Sequence, residues 1–150
     1  MNRLQIRLGF VLILLALLSG FGMPFFTSPR LGLAAHTVGI SGGLVLIALG
    51  ALANSFALGT RASAVMTGSW VYAAYANWVA SLLGAITGAS RLTPIAGAGT
   101  KGDALAETVV AFLLQSLAAA AIVGTVLAVY GFRKPSPVAA AQAVVVAPPV

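Results

Sequence analysis

Four long stretches of this chain contain no charged residue, and each exceeds the roughly 20 residues that a helix needs to cross a membrane. They cover residues 8–29, 31–60, 62–90 and 108–132. Only 7% of the residues are charged and 60% are hydrophobic, which excludes an ordinary soluble domain. The sequence therefore predicts an all-α integral membrane protein, built as a four-helix bundle.

Turn-forming residues set the bounds of the predicted helices. Pro24 and Pro29 end the first one, because proline lacks a backbone N–H and disfavours helix in the residue before it. Gly59 closes the second. The predicted spans cover residues 4–26, 33–58, 62–88 and 103–131.

Two segments lie outside the predicted spans. The glycine-rich connection 89–102 is long enough to be a lid, and we expect it to cover the outer mouth of the bundle. The helical domain is predicted to end at residue 134. Residues 135–150 contain mainly Pro, Ala and Val, a low-complexity tail that we predict to be disordered.

The basic residues lie singly at the ends of hydrophobic runs, so they indicate topology rather than a nucleic-acid partner. With four spans, one side carries Arg3, Arg7, Arg61, Arg133 and Lys134. The other carries Arg30, Arg91 and Lys101 with both acidic residues, Asp103 and Glu107. The positive-inside rule then places both termini in the cytoplasm.

The chain has no cysteine and a single histidine, His36. The absence of cysteine excludes disulfides, thiolate nucleophiles, iron–sulfur clusters and covalently attached c-type haem. An ionisable side chain inside a predicted span indicates function. On a helix, Gly39 and Gly43 lie on the same stripe as His36. Such small residues either let a neighbouring helix pack closely or leave room for a flat group beside the imidazole.

Two interpretations of His36 stay open from the residues alone. The side chain either bonds to a neighbouring helix or the membrane surface, or it is an axial ligand of a metal. Haem iron needs only one imidazole from the protein. Zinc would need carboxylates as well, since it takes three or four protein ligands.

Polar residues inside the last two predicted spans are further candidates. Asn77 is expected near the middle of the hydrocarbon layer, where an unbonded amide is costly. It therefore either bonds to a neighbouring helix or belongs to the site. Tyr75 and Trp78 flank it, either as walls of an aromatic pocket or as core. Asp103 is expected to cap the last helix. Glu107 is expected at the depth of His36, where it would orient Nδ1 or move protons.

The chain resembles hydroxylaminobenzene mutase, a family of small bacterial membrane enzymes. The segments that carry the resemblance are LLSGF (17–21), PRLGLAAH (29–36), YANW (75–78) and PIAG (94–97). The chain is more distantly similar to styrene oxide isomerase, a four-helix membrane enzyme that binds haem b between the subunits of a trimer. Gly42 and Ser81 stand where that isomerase has an asparagine and a tyrosine.

The resemblance implies a function and a site. His36 is expected to be the axial ligand of haem b, with Gly39, Gly43 and Arg30 in the cofactor-binding site. The expected catalytic residues are Asn77, Tyr75 and Glu107. The reaction would convert hydroxylaminobenzene into 2-aminophenol by Lewis-acid-assisted hydroxyl transfer, in a homotrimer surrounded by lipid.

Three alternatives belong to other classes. The first is a b-type cytochrome that passes electrons, with Met23 as the second axial ligand. The second is an epoxide isomerase. The third is a structural or transport bundle without a cofactor.

Overall fold

The computed structural model describes residues 1–132, and the regular elements in this range are helices. They are α1 (Arg3–Phe21), a 3-10 turn (Met23–Phe25), α2 (Pro29–Ala51), a second 3-10 turn (Ala53–Ser55), α3 (Thr60–Thr87), the short α4 (Pro94–Gly97) and α5 (Ala104–Gly131). The predicted tail 135–150 lies outside the described residues, as do Arg133 and Lys134. The all-α prediction is confirmed.

Three of the described helices, α1, α2 and α5, are long and apolar enough to cross a membrane. The chain is therefore a membrane protein. Helix α3 has 28 residues, a length of about 42 Å, but its tryptophan, tyrosine and asparagine side chains lower its mean hydropathy. A transmembrane bundle of four helices stays a prediction.

The long helices pack in chain order, α1 on α2, α2 on α3, and α3 on α5. Helices α2 and α5 do not pack extensively on each other, so α3 forms the floor of a groove between them. The buried centre lies where α1, α2 and α3 meet, at Leu12, Leu46 and Ala74.

Glycines bring the backbones of α1 and α2 into contact. A Cβ atom at Gly43 would lie 2.6 Å from the carbonyl oxygen of Gly9, and one at Gly39 would lie 2.5 Å from the Cβ of Ala16. Small residues permit such close approach of helices in lipid. Of the two interpretations for Gly39 and Gly43, the structure favours close helix packing, because α1 fills the surface where a flat group would lie. Their part in cofactor binding stays a prediction.

The substitution Gly43→Val is expected to lower the thermal unfolding temperature of the detergent-solubilised protein. The added side chain would force α1 away from α2, and such overpacking typically costs about 1–3 kcal/mol. The matched control is Gly68→Val, because a Cβ atom there meets nothing within 4 Å. Equal unfolding temperatures in the two variants would contradict close packing of α1 on α2.

Both bounds of the second helix differ from the prediction, and the earlier start places His36 deeper in the helix. Helix α2 begins at Pro29 rather than residue 33, since the fixed φ and missing N–H of proline suit the first turn of a helix. It ends at Ala51, before the predicted residue 58, where a 3-10 turn follows. His36 consequently lies about 10 Å into its helix, deeper than the sequence predicted.

Hydrogen bonds close the end of the molecule where α3 ends. The backbone N–H of Ser28 donates to the carbonyl oxygen of Ala85 at 3.0 Å, and the Thr27 hydroxyl donates to that of Ile86 at 2.7 Å. Helix α4, in the connection that follows α3, packs on α2. The connection 89–102 thus lies over this end of the molecule. That this is the outer end stays a prediction.

Candidate active site

The imidazole of His36 is held in one orientation by helix α1. Its Nδ1 atom lies 2.9 Å from the carbonyl oxygen of Ala16. Because a carbonyl oxygen can only accept, Nδ1 is the donor in this bond, and in the neutral imidazole Nε2 then carries a free lone pair. Gly20 makes room for the ring, since a Cβ atom there would lie 2.9 Å from Nδ1. Nε2 has no partner in the described part of the chain.

An open cavity of about 460 Å³ lies beside His36, at the surface of the protomer where α1 and α2 are joined. Leu17, Phe21, Met23 and Gly20 line it with the imidazole. The lining is apolar apart from the histidine. The structure therefore brings a single nitrogen ligand, and one thioether, to an apolar cavity at the surface of the protomer.

Asn77 lines a different cavity, of about 300 Å³, in the groove between α2 and α5. Its amide makes no hydrogen bond with residues 1–132. Thr37 and Ser41 face the same cavity from α2, and most of the remaining wall is apolar. His36 does not line this cavity, so one protomer does not bring the imidazole and the Asn77 amide into a single site.

Sequence analysis missed Thr37 and Ser41. Their signal was present, because two hydroxyl residues four positions apart lie on one face of a helix. The Thr37 hydroxyl is already engaged, as it donates to the carbonyl oxygens of Leu33 and Ala34 at 3.0 Å. Ser41 is exposed and makes no hydrogen bond with the described residues.

Tyr75 connects two helices rather than lining either of these cavities. Its hydroxyl donates to the carbonyl oxygen of Leu8 at 2.9 Å. Its ring, like that of Trp78, packs against the cluster of Leu12 and Leu46. Of the two interpretations for this aromatic pair, the geometry favours core. The catalytic role of Tyr75 stays a prediction.

The Glu107 carboxylate binds the backbone of the connection between α3 and α5. It accepts the N–H groups of Ser90 at 3.1 Å, Arg91 at 2.9 Å and Gly102 at 3.2 Å. The prediction that Glu107 orients His36 Nδ1 is wrong, because the partner of Nδ1 is a carbonyl of α1.

Two other predicted residues lie at the start of helices. The Asp103 carboxylate accepts the N–H of Ala106 at 2.7 Å, which confirms the predicted cap of α5. Arg30 is exposed in the first turn of α2, about 9 Å along the helix axis from His36. It lines neither of the two cavities, and its role in cofactor binding stays a prediction.

A site with several protein ligands for a metal is not formed by the part of the chain that the structure describes. No three His, Cys, Asp or Glu side chains come together there. The carboxylates of Asp103 and Glu107 are bound by backbone N–H groups instead. The ligands that a zinc ion requires are therefore not assembled around His36.

Comparisons with known proteins extend over almost the whole described chain. A family model described as styrene oxide isomerase matches residues 1–133. Hydroxylaminobenzene mutase HabB of Ectopseudomonas oleovorans is 42% identical over 132 residues, which are 87% of this chain and 80% of the relative. Hydroxylaminobenzene mutase HabA of the same organism is 36% identical over 127 residues, 84% and 94% of the two chains. No solved structure gives a significant match.

Proposed function

The chain belongs to the styrene oxide isomerase family and is an isomerase, and we propose that it converts hydroxylaminobenzene into 2-aminophenol. The names of the two relatives support this substrate. The observation that carries the proposal is the His36 imidazole, with Nδ1 fixed by the Ala16 carbonyl and Nε2 free at an apolar cavity. The reaction moves a hydroxyl group within one molecule, so it needs no net oxidant or reductant.

Haem b is the proposed cofactor, and the residues around His36 fit it. A hydrogen bond from Nδ1–H to a backbone carbonyl fixes the tautomer that leaves Nε2 to bind iron. Leu17, Phe21 and Met23 supply apolar walls of the kind a porphyrin face contacts. When bound, ferric haem supplies a Lewis acid that can polarise the N–O bond of the substrate.

The groove between α2 and α5 is the proposed site for the aromatic ring. Its walls are largely apolar, which suits an uncharged aromatic ring. The Asn77 amide, which lacks a protein partner, can bond to the hydroxylamino group. Exclusion of water by the apolar walls would limit side reactions of the activated nitrogen.

Self-association is part of the proposal, because the His36 cavity and the Asn77 groove open on different parts of the protomer surface. We propose a homotrimer in which a neighbouring copy closes both. Helix α3 would be the fourth span, with its polar side chains turned away from lipid. Both termini would lie in the cytoplasm, in the inner membrane of a bacterium.

The proposed reaction is tested by incubating the purified protein with hydroxylaminobenzene alone, in buffer under argon. Formation of 2-aminophenol is expected without an electron donor, an oxidant or a nicotinamide. Chromatography of the product checks this, with boiled protein as the control. A strict requirement for an added electron donor would contradict the isomerase proposal.

A b-type cytochrome is the second candidate function, and the position of Met23 favours it. The Met23 side chain lines the same cavity as His36, and a Met/His pair is an established axial set for electron-transfer haem. An absorption spectrum before and after dithionite separates the two. Low-spin haem favours the cytochrome, and high-spin haem favours an open catalytic position.

The substitution Asn77→Ala is expected to lower kcat about tenfold, the effect of losing one hydrogen bond of roughly 1–1.5 kcal/mol in the transition state. The haem spectrum should not change, since Asn77 does not line the His36 cavity. The matched control is Thr37→Val, because the Thr37 hydroxyl lines the same groove but is bound to its own helix. Equal turnover rates in the two variants would show that Asn77 contributes to packing and not to the reaction.

A further inference from the structure

Gln115 presents an unpaired amide at the middle of an exposed surface of α5. It is exposed, and it makes no hydrogen bond within residues 1–132. By contrast, Thr108 and Thr125 on the same helix each donate to a carbonyl of α5 at 2.7 Å. A glutamine carboxamide has two N–H donors and an acceptor oxygen. Left unpaired in hydrocarbon, such a group destabilises the protein.

The surface around Gln115 is otherwise apolar. Phe112, Ile122 and Val126 share its face of α5 and are 67%, 65% and 60% exposed. The opposite side of α5 packs on α3, and Gly124 lies there against the Trp70 ring. A single amide within an apolar, uncovered face indicates a contact with another protein helix, since amides bond across helices in membranes.

Gln115 lies at the same depth as two other polar groups without partners. Measured from the helix ends on the side of the 89–102 connection, Gln115 lies about 16 Å deep, Asn77 about 15 Å and Ser41 about 18 Å. Copies related by rotation about an axis normal to the membrane keep each residue at its depth. Gln115 of one copy can therefore meet Ser41 and Asn77 of the next copy.

We propose that a second copy of this chain covers the groove between α2 and α5, and that its Gln115 carboxamide bonds to the groove at Ser41 and Asn77. The inference rests on the proposed self-association and adds to it the residues that meet between copies. A contact between two Gln115 side chains would leave Ser41 and Asn77 uncovered. One head-to-tail contact gives all three groups a partner and still leaves the Asn77 amide an N–H for the hydroxylamino group. Repetition of this contact closes a ring. The neighbouring copy thus contributes a residue to the site.

The absence of cysteine from the sequence permits a direct test. Ser41→Cys and Gln115→Cys are made as separate single variants with different tags and co-expressed, and the membranes are oxidised. A disulfide forms only when the two Cα atoms approach within about 7 Å. The expected result is a dimer that carries both tags, which can arise only between copies.

The control replaces Gln115→Cys by Ile122→Cys, on the same exposed face but about 10 Å along the helix, and no mixed dimer is expected. A dimer of Gln115→Cys alone, with no mixed dimer, would show a two-fold contact and overturn the inference. So would the absence of any disulfide while both thiols react with a membrane-permeant maleimide. The readout needs neither substrate nor haem. A mixed dimer without mutase activity would therefore retain the contact and reject the proposed function.

Discussion

Replacing His36 by alanine is expected to remove the proposed haem and the isomerase activity together. His36 is the only histidine and the sequence has no cysteine, so no other imidazole or thiolate can take over as the ligand. A metal centre supplies several kcal/mol of transition-state stabilisation, and its loss would lower kcat/KM about 100-fold or more. The measurements are the Soret absorbance per protomer of the purified protein and the rate of 2-aminophenol formation.

A second variant separates loss of the ligand from loss of the fold. In His36→Gly the imidazole is replaced by space, and added imidazole is expected to restore part of the Soret band and part of the activity. The Asn77→Ala protein is the matched control, since it should keep the full band. A His36→Ala protein that retains a full Soret band would rule out His36 as the axial ligand.

The sequence predicts well those features of the site that depend on the type of one residue or on its near neighbours in the chain. His36 was identified because an intramembrane imidazole is unusual. The Asp103 cap was identified because capping acts between residues three positions apart. Both inferences need only the local sequence. The sequence underestimates the depth of His36, because a proline can end one helix or begin the next, and Pro29 begins α2.

The sequence could not predict the features that depend on which other segment of the chain packs against a residue. Gly39 and Gly43 suit a ligand or a neighbouring helix equally well, since both require a surface without side chains. The structure places α1 there, with Ala16 against Gly39. Glu107 was interpreted from its helical position, but the partners of its carboxylate are backbone N–H groups. Every non-proline residue carries such a group, so the sequence contains no signal for them.

The substitution Glu107→Ala is expected to release the connection between α3 and α5. One carboxylate accepts N–H groups from both ends of this segment, Ser90 and Arg91 at its start and Gly102 at its end. Bonds from N–H donors to a charged carboxylate are among the stronger hydrogen bonds in proteins. Without these bonds the three N–H donors can bond only to water. The segment should then open locally far more often than the helices unfold.

Limited trypsin digestion measures this opening, because Arg91 and Lys101 are the cleavage sites that the connection itself contains. Cleavage at these two bonds is expected to be on the order of tenfold faster in Glu107→Ala than in the parent protein, as cleavage follows the population of the open form. Glu107→Gln should lie between them, since its amide has one acceptor oxygen instead of two. Asp103→Ala, which loses a single bond to Ala106, is the control and should be cleaved almost as slowly as the parent. If Glu107→Ala is cleaved no faster than Asp103→Ala while its turnover falls, Glu107 acts in the reaction rather than in holding the connection.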